Sequence, residues 1–451
     1  MNQKKFLLVF VIVALILVVG LKIFTSLDIK KPLSKPIYVD EKPNTEIPKE
    51  ESKKEDSKDK PKQEDQKEKE SKKEEVVKIP AKASITDKKI SFDSSFPNEE
   101  KDKIKTLLKE FFERYYDIIA NLEYKDISDM FQNKENAYIY KTTLDLLIEN
   151  RKQSALNLRL NNVKYELTVK KYKKTDDVIS FTVLENCSYN FISTTSYPTA
   201  VYNIENNFNL KEENGIYKIS YFKKVQDFYV MITDVYKTTE NYEEALDKIK
   251  ANYLKTFEVE NKKIKTMYTN YLNGNYDVLK CDHGFDRQKA YEYALIWVGR
   301  RNTTKWRTYN ANCVNYVSQV MYAGGIPMDH YGKEQWKWYG SKKNTANTAS
   351  GFVYSWTYVP SIVSYFKNNT GYGLCGKYNE NLYLGDKGDV IVVGTTGPTR
   401  HVVSVIGQIK DANGKVIDLL VNSNTVDLEY FPLSAYAYPY KVLMKVYGWN
   451  D

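Results

Sequence analysis

Cysteine is scarce in this chain, with four residues among 451: Cys187, Cys281, Cys313 and Cys375. None stands in a C-x-x-C spacing, which argues against a zinc knuckle or a redox pair. A long chain so poor in cysteine also differs from small disulfide-stapled scaffolds, although four thiols outside the cell could pair as two disulfides. Histidine is scarcer still, with only His283, His330 and His401. The formal charge of +9 is modest for the length. It favours an anionic envelope, but no Lys/Arg stripe with interleaved aromatics marks a nucleic-acid surface, so no such partner is expected. No A-x-A-like cleavage site follows the N-terminal apolar run, and no cysteine lies near it, which excludes a lipid-modified cysteine anchor.

That run is itself informative. "MNQKKFLLVFVIVALILVVGLKIF" places Lys4 and Lys5 ahead of apolar residues 6–21, followed by Lys22, Ile23 and Phe24. Spanning a bilayer takes ~17–25 apolar residues, so the run suffices when Lys22 snorkels. The expectation is an uncleaved transmembrane anchor over residues 6–26, with residues 1–5 cytoplasmic and the folded domains outside the cell membrane. Lys30 and Lys31 argue mildly the other way, and secretion after signal cleavage is the alternative. Residues 27–88 change composition completely, and "KEESKKEDSKDKPKQEDQKEKESKKEE" holds no aliphatic or aromatic residue. Such a segment buries too little apolar surface to offset its ordering entropy, so a disordered tether is expected.

Periodicity returns in "NEEKDKIKTLLKEFFERYYDIIANLEY", where Ile104, Leu107, Leu108, Phe111, Phe112, Tyr115, Ile118 and Ile119 fall at helical spacing. A second helix is predicted over 135–153. Strand patterns follow in "VKYELTVKKYKK", "VISFTVLENCSYNFI" and "AVYNIENNFNLKEENGIYKISYFKKV", the last with a hairpin turn at Glu213, Asn214 and Gly215. Helices followed by an antiparallel sheet make a separate α+β domain over 89–238, similar in its order of elements to nuclear-transport-factor-like folds. It carries no acid/base constellation, so a binding or spacing role is expected. Residues 239–281 read as a helical connector.

The last unit, 282–451, carries the chemistry. In "TYNANCVNYVSQVMYAGG" the residues Val314, Val317, Val320 and Met321 trace one helical face, and Gly324 and Gly325 end it. Cys313 then sits at a helix N-terminus, where the macrodipole and free N–H groups favour thiolate and lower the pKa from ~8.5 toward neutrality. The same N–H groups suit the oxyanion formed when a thiolate attacks an amide. A thiolate also needs a base. His283, in "CDHGF", and His330, in "MDHYG", read as exposed loop residues. His401 begins a strand, "HVVSVIGQI", after the buried-looking "KGDVIVVG". In "VIDLLVNSNTVDLEYFPL", read as the next strand, Asn422 and Asn424 share a face while Ser423 points the other way. Either asparagine is placed to hold the second ring nitrogen of His401, as the orienting member of a triad does. Taken singly, His401 also fits a satisfied strand-edge histidine, and the asparagines fit turn chemistry.

The stretches "DRQKAYEYALIWVGRRN", "NCVNYVSQVMYAGGIPMD", "YSWTYVPSIVSYF", "KGDVIVV", "RHVVSVI" and "NTVDLEYFPL" together resemble the putative amidase domain family of bacterial secreted proteins. That family is related to the papain-like superfamily of CHAP and NlpC-type cell-wall hydrolases. The resemblance implies a papain-like fold, with a helix bearing Cys313 packed on an antiparallel sheet bearing His401 and an asparagine. It implies Cys313 as nucleophile and His401 as base, and it favours Asn424 over Asn422 as orienter. The family pattern usually has an acidic residue where Asn312 stands, and often a histidine where Asn424 stands. Asn310 or Asn312 would assist the backbone N–H of Cys313 at the oxyanion. Trp356, Gln319 and Asp427 are expected at the substrate cleft, and Trp336 and Trp338 in a loop edging it, with a core tryptophan the bland alternative for Trp356.

The expected activity is that of a cysteine amidohydrolase or peptidase acting on peptidoglycan or another cell-wall peptide, with no metal and no cofactor. The alternatives are a non-catalytic wall-binding scaffold with a papain-like head, and a transpeptidase that passes its thioester to an amine.

Overall fold

The computed structural model describes residues 85–451 except Thr195 and Asn275. The expected anchor and nearly all of the tether lie outside the described residues. Among those described, no helix is long and apolar enough to cross a membrane.

Ile104, Leu108, Phe111, Phe112 and Tyr116 do align along one helix, α1 (Asn98–Asn121), and all are buried. A second helix, α2 (Lys134–Lys152), is capped by the Asn133 side chain, which accepts the backbone N–H of Asn136. After β1 (Ile85–Phe92), which pairs in parallel with β2, the sheet runs antiparallel through β2 (Leu160–Thr175), β3 (Val178–Phe191), β4 (Thr199–Glu213) and β5 (Ile216–Lys224). The alternation Tyr165, Leu167, Val169 turns one face of β2 inward. There the rings of Phe208 and Phe222 meet Phe111 at centroid distances of 5.4 and 5.1 Å. Each such fully buried aromatic stabilises by ~1.5–3 kcal/mol. The β4–β5 hairpin turns on Asn214 and Gly215, both at positive φ, as the Asn-Gly pair predicts.

Two further helices, α3 (Asp227–Val235) and α4 (Tyr242–Leu272), lead to the C-terminal region. It holds α5 (Arg287–Trp297), α6 (Cys313–Ala323) and α7 (Val359–Asn368). Its strands are β6 (His283–Gly284), β7 (Gly373–Glu380), β8 (Val390–Gly394), β9 (His401–Lys410), β10 (Val416–Ser423), β11 (Asp427–Pro432) and β12 (Tyr440–Asn450). The stretch read as one strand thus breaks into β10 and β11, with Thr425 and Val426 at positive φ in the turn.

The described residues form an α+β fold with seven α-helices and a mixed sheet of twelve strands, ten in the order β1-β2-β3-β4-β11-β10-β9-β8-β12-β6, with β5 paired to β4 and β7 to β12 off that path. In that sheet β11 pairs with β4, through Leu428 with Val201 and Glu429 with Ala200. The middle region is therefore not a separate body, contrary to the expectation. Its core continues into the C-terminal sheet: Val403, Val405 and Val421 belong to the same apolar cluster as Phe208 and Phe222. The opposite face of that sheet, with Val402, Ile406 and Leu420, is covered by α6 and its neighbours. A strand buried on both faces needs a continuous apolar run, and "VIVV" and "HVVSVI" supply it.

Candidate active site

Cys313 is the first residue of α6, whose face of Val314, Val317, Val320 and Met321 is buried against the sheet. The helix N-terminus is bolted to the β10–β11 turn. The backbone N–H of Asn312 donates to Thr425 Oγ1 at 2.7 Å, and Asn312 Nδ2 donates to Asn424 Oδ1 at 2.7 Å. Asn312 Oδ1 accepts from Asn315 Nδ2 and the Tyr309 N–H. The helix thereby ends at the edge of β9, and the Cys313 sulfur lies against the backbone N–H groups of Val402, Val314 and Cys313 itself, which favour the thiolate.

His401 opens β9. Register pairs Asn422 with Ser404 and Val421 with Val405, so His401 shares a face with Val403 and Ser423. Its Nε2 lies 2.8 Å from Ser423 Oγ. With the Ser423 hydroxyl assigned to the Thr425 carbonyl 3.3 Å away, Oγ accepts from Nε2–H and Nδ1 is bare; with the other tautomer Oγ–H donates to Nε2. The Tyr436 ring stacks beside the imidazole at a centroid distance of 6.2 Å. Among the described residues no hydrogen bond joins Cys313 to His401. Catalytic contacts are often loose in unliganded enzymes and tighten with substrate.

Electrostatics correct the expected thiolate. Cys313 is 6% exposed and His401 7% exposed. Burial pushes the Cys313 thiol up, outweighing the backbone N–H groups. Burial, with the Arg400 charge adding to it, pushes His401 down to about 4. At neutral pH Cys313 is a neutral thiol and His401 a neutral imidazole.

The expected orienter is displaced as well. Asn424 does not reach His401: its Oδ1 takes Asn312, and its Nδ2 donates to the carbonyls of Trp297 and Arg300. Asn422 Oδ1 accepts the Tyr430 N–H. Asn312 is buried, with Oδ1 accepting two N–H groups and Nδ2 donating to Asn424, while Asn310 is exposed. Trp356 is fully buried between Trp306 and Trp336, with Nε1 donating to Asn315 Oδ1. Trp336 and Trp338 are core residues too. Gln319 and Asp427 are both buried, Gln319 accepting from the Tyr293 hydroxyl and Asp427 pairing with Arg301. A cleft of about 320 Å³ is bounded by Thr395, Arg400 and Tyr438 on one side and by Val230, Met231 and Asp234 of α3 on the other; its lining includes Arg400 but neither His401 nor Cys313.

Ser423 and Tyr436 went unread in the sequence. The two-residue period sets Ser423 opposite the asparagines, but only the β9–β10 register shows which face His401 takes. Of the cysteines, Cys281 and Cys375 form a disulfide with each other, leaving Cys187 and Cys313 free. Among the described residues no cluster of His, Cys, Asp or Glu could hold a metal ion.

No solved structure matches the chain. The uncharacterized protein YhbB of Bacillus subtilis (strain 168) is 29% identical over 143 residues, which is 32% of this chain and 42% of that relative. The chain thus spans less than half the length of this curated relative. Residues 284–447 match the family described as a putative amidase domain, the family that the sequence of this region resembles.

Proposed function

We propose that the chain is a membrane-anchored extracellular cysteine amidohydrolase that cleaves amide bonds in bacterial peptidoglycan. The observation that carries this reading is Cys313 at the N-terminus of α6 against the backbone N–H of Val402, the residue that follows His401 in β9, together with a His401 Nε2 tied to Ser423. In the reaction, His401 Nδ1 takes the thiol proton as sulfur attacks the amide carbonyl. The oxyanion forms beside the N–H groups of Cys313 and Val402. Collapse breaks the C–N bond, and the imidazolium returns its proton to the leaving amine. Water, deprotonated by His401, then cleaves the thioester and releases the carboxylate.

The neutral resting pair fits this order, since the proton moves only as the substrate arrives. A papain-like arrangement with Ser423 in the orienting place is the structural form of the proposal. The apolar run at residues 6–21, the charged tether and the basic balance support a wall substrate some way from a membrane. The Cys281–Cys375 disulfide supports an oxidising compartment, and it leaves Cys313 out of any bridge. The test incubates the chain with purified cell wall and identifies released fragments by mass. Wild type should release fragments with new carboxyl and amino ends, and Cys313→Ala none. Identical products from both would end the thiol mechanism.

The burial of Cys313 and His401 favours a second reading, a non-catalytic wall-binding protein. Labelling of Cys313 by an electrophilic amide analogue, lost on His401→Ala, supports the enzyme. A thiol that stays unlabelled while substrate binds supports the scaffold.

A further inference from the structure

His330 and Tyr331 follow the C-terminal end of α6, on a loop closed by paired backbone hydrogen bonds of 2.8 and 2.9 Å between Asp329 and Trp336. The buried Asp329 carboxylate fixes this loop, accepting the Tyr331 N–H at 2.8 Å and the Tyr365 hydroxyl at 3.0 Å. Gly373, at φ +96°, lets the start of β7 come close, since a Cβ there would stand 2.9 Å from the Asp329 Cβ. Tyr372 is thereby set against Tyr331. On its other side Trp449 of β12 has His283 of β6 as cross-strand partner, and the Cys281–Cys375 disulfide ties the approach to β6 onto β7.

These connections line up six rings. Tyr339, His330, Tyr331, Tyr372, Trp449 and His283 follow one another at centroid distances of 5.9, 4.1, 5.1, 6.3 and 3.7 Å. Tyr331 is 52% exposed and Tyr339 43%. His283 is exposed too, and the other three rings are half-buried. Aromatic area left in water on a rigid support marks an interaction surface. It is separate from the cysteine site: Cys313 opens α6, ~15 Å from the helix end that leads to His330.

Tyrosine, histidine and tryptophan rings each combine a flat face with a hydrogen-bonding edge. A pyranose sugar is built the same way: axial C–H groups make an apolar face, and hydroxyl and acetamido groups surround it. The ring spacing is on the scale of successive sugars in a chain. Charge narrows the class further. The Asp329 and Asp451 carboxylates stand near the Tyr372 hydroxyl, and Asp451 Oδ1 lies 3.0 Å from His283 Nε2. Single-stranded nucleic acid also stacks on aromatic rings, but it needs a cationic groove and here would meet carboxylates.

We propose that this strip binds a neutral oligosaccharide of N-acetylhexosamine units, holding a glycan strand of the wall while Cys313 acts on attached peptide. The inference rests on the cell-wall reading of the Cys313 site. The experiment titrates the full chain with chitohexaose, an N-acetylglucosamine oligomer that carries no peptide, by calorimetry and tryptophan fluorescence. Binding should be saturable, unchanged in Cys313→Ala, and weakened roughly tenfold or more by Tyr331→Ala. Tyr331 and Tyr339 are exposed, so Tyr331→Ala and Tyr339→Ala should melt near the wild-type temperature. Tyr331→Ala should also slow fragment release from intact wall while cutting a soluble wall peptide at the wild-type rate. Absence of saturable binding, or binding that survives Tyr331→Ala combined with Tyr339→Ala, overturns the site. Equal or stronger binding of a polyproline peptide or of oligo-dT overturns the glycan class. Chitohexaose bound by a chain that cuts no wall keeps the strip and removes the hydrolase, and wall cut without chitohexaose binding does the reverse.

Discussion

At Cys313 two effects of opposite sign act on the thiol. The helix N-terminus and the Val402 N–H draw toward thiolate, while burial draws toward the neutral form and prevails. His401 is subject to burial in the same way, and the unfolded chain takes up its proton near pH ~6.5 while the folded chain does so only at about 4. Between those values the unfolded state binds more protons, so acidification costs stability, up to roughly 3 kcal/mol at the acid end. Asp227 opposes this: burial raises its carboxyl to about 7, so the folded chain gains stability as pH falls from there. The two are separated by substitution. His401→Asn should lose less stability than wild type between pH 7 and pH 4.5, measured by urea melts, with Asp227 present in both. Ser423→Ala should cut kcat by up to roughly 100-fold by freeing the imidazole, shift the pH–rate profile, leave KM nearly unchanged, and cost about 1–3 kcal/mol of stability through the buried groups it leaves unpaired. A loss confined to stability would refute the orienting role.

At the scale of elements, the site depends on how α6 is docked. Asn312 and Asn424, the two positions that depart from the family pattern, are hydrogen-bonded to each other. A neutral amide pair thus joins helix to turn. Asn424→Ala leaves Asn312 Nδ2 unpaired in a buried place and should cost about 1–3 kcal/mol by denaturant unfolding, with kcat of the folded fraction little changed. Asp389, from "KGD", performs a similar service for α5: its buried carboxylate accepts Arg287, Lys445 and the Val446 N–H. The preceding Gly388 has φ +85°, and a Cβ there would collide with Phe285 and Ala290. Helix extents were legible, because apolar spacing near 3.6 is a local property; the predicted 135–153 and the observed Lys134–Lys152 differ by one residue at each end. The orienting residue was not, because it depends on the register between strands that the local pattern leaves open.

For the whole molecule, the continuous sheet has a consequence for dissection. A fragment of residues 282–451 alone would expose the edge of β11 and the apolar face of Val403, Val405 and Val421. It should aggregate or unfold, whereas residues 85–451 should stay monodisperse in sedimentation. A well-folded, soluble 282–451 fragment would show that the shared core is dispensable. The Cys281–Cys375 disulfide closes a span of 94 residues between the connector and β7. Cys281→Ser should lower stability by about 4.7 kcal/mol on the loop-entropy estimate without touching Cys313, as thermal melts under oxidising conditions would register.

Local chemistry in the chain determined the helices, the Asn-Gly hairpin, a cysteine at a helix start, a histidine at a strand start, and the amidase resemblance. All of these are written in residue type and short spacing. Tertiary structure alone decided that Ser423 rather than Asn424 backs His401, that Cys281 pairs with Cys375, and that the cysteine rests as a neutral thiol. It also decided that the middle region and the amidase-type region share one sheet. Each of these turns on strand register or on burial by residues distant in sequence, and no periodicity along the chain encodes which distant surface will arrive.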